Sequence, residues 1–178
     1  NYLCGEGHQG SAGIGEKRAG ARGPENLWGS AGVAAVCALG YGLYPHPLWL
    51  LGYVSSLSTK LSDTMASEVG KAFGKTTYLI TNFRSVPPGT EGAVSLEGTT
   101  AGIVGSIAIA VVGWLVGMIT VPQGLLLCVG AALIATNLES LIGATLQTRW
   151  QWMTNEIVNA INTFLGATIA VGFSYLLP

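Results

Sequence analysis

The residues best suited to chemistry in this 178-residue chain lie in one charged segment between Lys60 and Lys71. At about 100° per residue in a helix, its polar side chains share one face: Lys60, Asp63, Thr64, Ser67, Glu68 and Lys71. An ionisable group at membrane depth costs about 2.5 to 3.5 kcal/mol, which favours a functional role. Two structural alternatives stay open: mutual ion pairs (Lys60 with Asp63, Glu68 with Lys71), or a half-helix lying among the lipid headgroups.

A glycine-rich loop at residues 87–99 is the second candidate. Gly89, Gly92 and Gly98 permit positive φ and close backbone approach, so consecutive N–H groups can form an anion-binding nest. Glu91 and Glu97 beside such a nest suit Mg²⁺ shared with phosphate, because Mg²⁺ prefers oxygen ligands and completes its shell with substrate phosphates. A turn that only caps the following helix is the alternative.

Single polar residues in apolar surroundings form the third set. Glu139 has no cation within a helical turn, so it must face a charge on another helix, face a metal, or be protonated. Lys60 is the basic residue placed inside a predicted membrane helix, the second span, and it could compensate the charge of Glu139 in the fourth span. We therefore expect the polar ends of the second and fourth spans to face the same cavity. Asn155, Asn159 and Asn162 recur on one face of the last apolar segment. Hydrogen bonding between helices is the alternative for these amides, above all for Asn162.

The distribution of charge shows which elements must position these residues. No Asp, Glu, Lys or Arg occurs in residues 26–59, 98–138 or 157–178, and each stretch is at least as long as the roughly 20 residues that cross a bilayer as helix. We therefore predict an all-α, polytopic membrane helix bundle with about five transmembrane helices and a polar cavity open to one side. The predicted spans are residues 27–44, 48–70, 99–121, 123–146 and 155–177.

The remaining segments complete the predicted organisation. Residues 1–26 are predicted to be a glycine-rich surface loop, and residues 27–178 a membrane domain that lacks initial helices at its N-terminus. Apart from Lys60, the basic residues fall in the N-terminal segment, the long loop 71–98 and the connection before the last span. By the positive-inside rule these segments face the cytoplasm or stroma. Small residues should let the helices pack closely: Gly102, Gly105, Ser106, Gly130, Ala131, Ala132, Gly166 and Gly172.

Composition excludes several classes of protein. The net charge is −1, with 8 basic and 9 acidic residues. The sequence has no run of basic residues of the kind expected in a nucleic-acid-binding protein. A soluble enzyme is excluded by the long uncharged stretches. Cys4, Cys37 and Cys128 are odd in number and far apart, which disfavours a disulfide framework or a zinc site. Any metal would be a hard cation on oxygen ligands.

The ordered polar motifs resemble the phytyl-phosphate kinase family, part of a wider group of uncharacterised polytopic membrane proteins. The similarity runs from about Gly15 to the C-terminus. It is carried by Ser62-Asp63-Thr64-x-x-Ser67-Glu68-x-Gly70-Lys71, Gly74-Lys75-Thr76-Thr77-Tyr78, Pro88-Gly89-Thr90-Glu91-Gly92, Leu96-Glu97-Gly98-Thr99, Glu139-Ser140-x-x-Gly143-Ala144-x-x-Gln147 and Asn155-x-x-x-Asn159.

This resemblance implies a kinase that converts phytyl phosphate to phytyl diphosphate with a nucleoside triphosphate and Mg²⁺, in phytol salvage toward tocopherol. It also implies a cyanobacterial or chloroplast membrane, with the active face toward cytoplasm or stroma. For this reaction we assign Asp63, Glu68, Glu97 and Glu139 as catalytic residues, and Asp63, Glu91 and Glu97 as metal ligands. We assign phosphate binding to Lys60, Lys71, Lys75, Arg84, Gly89, Thr90 and Gly92. Ser67, Asn155 and Asn159 would line the polar cavity.

The competing hypothesis is a transporter or flippase of a polyprenyl or other anionic lipid phosphate. It would use the same charged stripe as a binding site. Transport requires polar access from both sides of the membrane, whereas the predicted charges lie mainly toward one side. For the kinase, the expected partners are the bilayer, an isoprenoid phosphate and a nucleoside triphosphate. Nucleic acid is not an expected partner. The donor nucleotide, the isoprenoid chain length and the oligomeric state stay open.

Overall fold

A computed structural model of the chain describes residues 24–147, 149–150 and 152–176. These residues form the helices α1 (Pro24–Leu43), α2 (Pro47–Phe73), α3 (Leu96–Leu115), α4 (Gln123–Ile142) and α5 (Asn155–Ser174). The strands β1 (Thr77–Leu79) and β2 (Ala93–Ser95) pair antiparallel between α2 and α3. Helix α4 continues directly into a π-helical turn, Gly143–Gln147.

The predicted all-α membrane bundle is confirmed in its helices. Within the described ranges, three helices are long and apolar enough to cross a membrane: α3, α4 together with its π-helical turn, and α5. Helix α2 has 27 residues, and all of its charged residues lie at or after its midpoint. The polar cavity open to one side stays a prediction. Residues 1–23 of the predicted surface loop lie outside the described residues, and 24–26 belong to α1.

Helix α2 is the central element of the bundle because it packs against all four other helices. Small residues make the close approach possible. A Cβ atom at Gly102 would lie 3.0 Å from the Ser62 carbonyl oxygen, and one at Gly105 would lie 3.0 Å from Met65 Cγ. The packing role predicted for these glycines is confirmed. It is wrong for Gly130 and Gly172, where an added Cβ would meet nothing within 4 Å.

An apolar core fills the half of the bundle near the turns at Pro45–Pro47 and Pro122. Its buried members come from the beginnings of α2 and α4, the later parts of α3 and α5, and the turn between α3 and α4: Leu51, Val54, Ala110, Ile119, Leu127, Cys128, Ala131 and Ala170. The polar residues of α2 begin one turn beyond Leu51, with Ser55 and Ser56 fully buried. The interior therefore changes from apolar to polar along the axis of α2.

The predicted long loop between the second and third spans contains a small ordered sheet. Thr77 pairs with Ser95 in the β1–β2 ladder, and the Thr77 hydroxyl donates a hydrogen bond to the Val86 carbonyl. Ser95 also begins α3, since its Oγ accepts a hydrogen bond from the Gly98 N–H at 3.0 Å. Strands of three residues are too short to show the alternation by which strands are predicted from sequence.

Candidate functional site

Lys60 connects two helices at the centre of the site. Its Nζ lies 3.0 Å from Asp63 Oδ2 on the next turn of α2 and 2.7 Å from Asn159 Oδ1 on α5. The side chains of Lys60 and Asp63 are only 15% and 12% exposed. The ion pair is therefore largely removed from solvent, and the amide of Asn159 supplies a further acceptor for the ammonium group.

Glu139 brings α4 into the same cluster. Its carboxyl group lies beside that of Asp63 and within electrostatic range of Lys60 and Glu91. A hydrogen bond of 3.3 Å from the Thr136 hydroxyl to Ser62 Oγ aligns α4 with α2 one turn away. The polar faces of α2 and α4 therefore meet, while the cavity that they were expected to share stays a prediction. The ion pair of Lys60 is formed with Asp63 rather than with Glu139.

The glycine-rich loop places Glu91 at the end of α4. Gly92 has a positive φ of 74° and packs against Ala144 and the Ser140 carbonyl. A Cβ atom at Gly143 would lie 3.7 Å from Glu91 Oε2. At Gly92, only glycine adopts the positive φ without strain and also leaves room for α4 and its π-helical turn. The loop is thus held against the π-helical turn with its carboxylate facing the cluster.

The backbone of the same loop is partly engaged in its own turn. Gly89 has a φ of 85°. Thr90 directs both its N–H and its hydroxyl to the Pro87 carbonyl, at 3.3 and 2.7 Å. A phosphate contact by Thr90 therefore requires this turn to open. The predicted phosphate-binding role of Gly89, Thr90 and Gly92 stays a prediction.

The other predicted residues lie outside the cluster. Lys71 Nζ is 3.6 Å from Glu68 Oε1, the surface pair that the charge spacing allowed. The Ser67 hydroxyl donates to the Thr64 carbonyl at 3.1 Å. Three further predicted residues lie on the loop side of the bundle: Lys75 and Arg84, both exposed, and Glu97, partly buried in the first turn of α3.

The carboxylates do not form a preassembled metal-binding trio. Among the described residues, no group of three or more His, Cys, Asp or Glu side chains gathers closely enough to hold an ion, so Asp63, Glu91 and Glu97 are not brought together as predicted. Asp63 and Glu139 do lie side by side. Mg²⁺ commonly takes one or two carboxylates and fills its shell with water and substrate phosphates, so this pair fits that donor set.

The first turns of α5 extend the polar surface. Asn155 is exposed and accepts a hydrogen bond from Gln147 Nε2 in the π-helical turn. Asn162 is 1% exposed, and neither of its side-chain polar atoms has a partner in the described part of the chain. Thr59 Oγ1 on α2 is likewise buried without a partner. Sequence periodicity placed Asn162 on the correct face but gave no signal for Thr59, a residue type common inside membrane helices.

The fold and the site define an integral membrane protein with a charged cluster between its helices, on the side of the bundle that carries its long loop. The chain belongs to the DUF92 family of integral membrane proteins, whose family model matches residues 5–167. The family resemblance predicted from the polar motifs is thereby confirmed. No solved structure matches the chain.

Curated relatives come from three kinds of organism. An uncharacterized membrane protein of Synechocystis sp. is 64% identical over 165 residues, covering 91% of this chain and 64% of the relative. Protein VTE6, chloroplastic, of Arabidopsis thaliana is 48% identical over 167 residues, covering 89% of this chain and 50% of the relative. An uncharacterized membrane protein of Methanocaldococcus jannaschii is 41% identical over 124 residues, covering 68% of this chain and 50% of the relative.

These comparisons agree with an integral membrane location, and the cyanobacterial and chloroplastic relatives fit the predicted setting. The chain spans between half and about two thirds of the length of the relatives it matches.

Proposed function

We propose that the protein is an integral membrane kinase that phosphorylates an isoprenoid monophosphate, converting phytyl phosphate to phytyl diphosphate in phytol salvage toward tocopherol. The similarity of its polar motifs to the phytyl-phosphate kinases supports this assignment. So does the 48% identity with the chloroplastic plant relative. The nucleoside triphosphate donor and Mg²⁺ are parts of the same proposal.

One structural observation carries the proposal. Four separate segments bring polar and charged side chains to one place: Lys60 and Asp63 from α2, Glu91 from the loop, Glu139 from α4 and Asn159 from α5. Bundle stability alone does not account for this, because buried ion pairs are often no more stabilising than apolar residues of similar volume. A cluster of carboxylates with one cation at the membrane boundary suits a substrate that carries phosphate on a lipid tail.

The reaction requires positioning and charge neutralisation rather than a protein nucleophile. An oxygen of the phytyl phosphate attacks the terminal phosphorus of the donor. The bond from that phosphorus to its bridging oxygen breaks, and the nucleoside diphosphate leaves with the electron pair. Because the attacking phosphate oxygen is already ionised at neutral pH, no general base is needed. Oriented donors at the phosphoryl group are the largest contribution a protein makes to such a step.

Lys60 is the residue best placed to contribute a positive charge. Asp63 and Asn159 hold its ammonium group, and the third N–H of that group can donate to a phosphate oxygen. Asp63 and Glu139, with Glu91 nearby, would hold Mg²⁺, which when bound would neutralise charge on the transferring phosphoryl group. Lys71, Lys75 and Arg84 add positive charge on the same side. The phytyl tail would lie along surfaces of small residues that no helix among the described residues fills, such as those at Gly130 and Gly172.

The apolar half of the bundle argues against the transport hypothesis. A flippase needs a polar route past both membrane faces. Beyond Ser55 the interior is occupied by Leu51, Val54 and Leu127, all at least 92% buried, so a substrate would have to reach the polar cluster from the loop side. Chemistry on a phosphate held at one face needs no route to the other face.

The test is a phosphoryl-transfer assay with the purified protein in detergent or nanodiscs. Each γ-labelled nucleoside triphosphate is supplied with phytyl phosphate and Mg²⁺, and labelled phytyl diphosphate is the expected product. Chelation of Mg²⁺ should abolish the transfer. Absence of the product with every nucleotide, for a protein that remains folded and monodisperse, would exclude the kinase assignment. Movement of a labelled lipid phosphate across reconstituted vesicles would then favour the flippase.

A further inference from the structure

A groove of about 360 Å³ opens beside the π-helical turn, on the loop side of the bundle. It is lined by Thr81, Ala144, Thr145, Leu146 and Arg149. Its volume is within the range of roughly 300 to 1,000 Å³ typical of small-molecule sites. None of these residues belongs to the cluster around Lys60, and the sequence motifs did not single out Thr81 or Arg149.

Within the described ranges of the chain, the groove contains a guanidinium group without an ion-pair partner, that of Arg149, and a hydroxyl group without a hydrogen-bond partner, that of Thr81. Arg149 is exposed, and in the described part of the chain its guanidinium forms no ion pair and no hydrogen bond. The Thr81 hydroxyl also lacks an intramolecular partner there. The Thr145 hydroxyl donates to the Leu141 carbonyl at 2.6 Å, so Thr145 shapes the wall. Leu146 and Ala144 supply an apolar surface next to these donors.

The groove and the acidic cluster share one wall. Gly92 packs against Ala144, which lines the groove. The Glu91 carboxylate lies beside Gly143, the residue before Ala144. No ion pair joins Arg149 to Glu91 among the described residues, so this carboxylate does not neutralise the guanidinium. A phosphate group bound at Arg149 would lie next to the carboxylates that are proposed to hold Mg²⁺.

We propose that this groove is a phosphate-binding subsite in which the Arg149 guanidinium and the Thr81 hydroxyl bind a phosphate group of one substrate. The inference rests on the proposed kinase function and names residues for its substrate binding. Arginine binds phosphate through parallel N–H donors. The phosphate can belong to the nucleotide or to the isoprenoid monophosphate, and the two sources are separated by experiment.

Equilibrium binding to the purified protein tests the subsite without requiring turnover. The probes are a labelled nucleoside triphosphate, phytyl monophosphate and inorganic pyrophosphate. Because a charged hydrogen bond contributes about 1.5 to 3 kcal/mol, R149Q should weaken binding of the resident ligand by about ten- to a hundredfold. R149K should bind more tightly than R149Q but less tightly than the wild type, since lysine keeps the charge but lacks the two parallel N–H donors of arginine. T81A should weaken binding a few-fold, and T120A, an exposed threonine at the opposite turn, should leave it unchanged.

The pattern across the probes identifies the ligand. Loss of nucleotide affinity alone assigns the groove to the donor, and loss of phytyl phosphate affinity alone assigns it to the acceptor. Unchanged affinity of R149Q for all three probes, or failure of the wild type to bind any of them, overturns the subsite. Arg149-dependent binding without phosphoryl transfer would retain the subsite and reject the kinase. Intact transfer with unchanged KM in R149Q would retain the kinase and reject the subsite.

Discussion

The Lys60 ammonium group and the Asn159 side-chain oxygen lie 2.7 Å apart, although 99 positions separate them in the chain. This contact fixes α2 against α5 at the level where Asp63 and Glu139 meet. Seven residues further along α5, about two helical turns, Gly166 packs directly on Thr59, and the Ser55 hydroxyl donates to the Gly166 carbonyl at 2.9 Å. The geometry of the cluster therefore depends on the close approach of these two helices.

Removing the cation should destabilise the protein more than removing its ion-pair partner. Lys60→Met leaves the Asp63 and Glu139 carboxylates side by side without a compensating charge, and loss of one partner from a buried pair costs about 3 to 5 kcal/mol. Asp63→Asn should cost less, because Lys60 keeps Asn159 and the nearby Glu139. Thermal unfolding in detergent measures both variants.

The double variant of the same pair is the control. If the two residues are coupled, Lys60→Met with Asp63→Asn should be less destabilising than the sum of the single changes. Strictly additive losses would show that the ion pair contributes no net coupling.

Neutralising the paired carboxylates should abolish activity without unfolding the protein. Asp63→Asn and Glu139→Gln keep the side-chain shape but remove charge required to hold Mg²⁺ against its hydration, so we expect losses of about a hundredfold or more in turnover. Glu97→Gln should have a smaller effect, since no described contact joins Glu97 to this pair. Glu156→Gln, at the start of α5, is the matched carboxylate control. Near-normal turnover in both Asp63→Asn and Glu139→Gln would make the pair structural.

A methyl group at the α2–α5 contact should disturb the site. In Gly166→Ala the new Cβ collides with the Thr59 side chain, and overpacking of this kind costs about 1 to 3 kcal/mol. Gly172→Ala on the same helix meets nothing within 4 Å and should be neutral or slightly stabilising, since alanine is the better helix former. Unfolding temperatures of the two variants report the difference. Equal effects would show that the close packing is not maintained in the membrane.

The loop that carries Glu91 should be sensitive to a methyl group as well. Gly92 and Gly117 have similar φ values, 74° and 76°, so alanine at either position is strained. Only at Gly92 does the new Cβ also collide with Ala144. We expect Gly92→Ala to lower turnover severalfold by displacing Glu91, and Gly117→Ala to lower stability with turnover retained. Equal turnover in the two variants would show that the position of this loop is unimportant for the reaction.

The topology of the membrane domain predicts the side of each connection. Single cysteines at Ser85 and His46, both exposed, are introduced into a variant without the native cysteines. An impermeant thiol reagent applied to oriented vesicles should label them from opposite sides, with Ser85 on the cytoplasmic or stromal side. Labelling of both positions from the same side would contradict the five-span arrangement.

The sequence alone determined the class of protein and most of the polar residues in the cluster. Long stretches without charge require a membrane, and charged residues inside the spans are costly enough that their positions are informative. Lys60, Asp63 and Glu139 were therefore identifiable before any fold was known, and the row of amides in the last span identified Asn159. Helical periodicity also placed Asn159 on the face of Asn162 and Gly166, the face that meets α2.

Only the tertiary structure decided which of these residues meet. Glu139 needed a partner, but periodicity within one helix carries no information about the neighbouring helix, so its position beside Asp63 depended on how α2 and α4 pack. The π-helical turn after α4 has no sequence period of its own. Its placement of Gly143 and Ala144 against the loop brings Glu91 to the cluster and opens the groove at Arg149. Contacts between segments far apart in the chain arise from packing, which local sequence patterns do not encode.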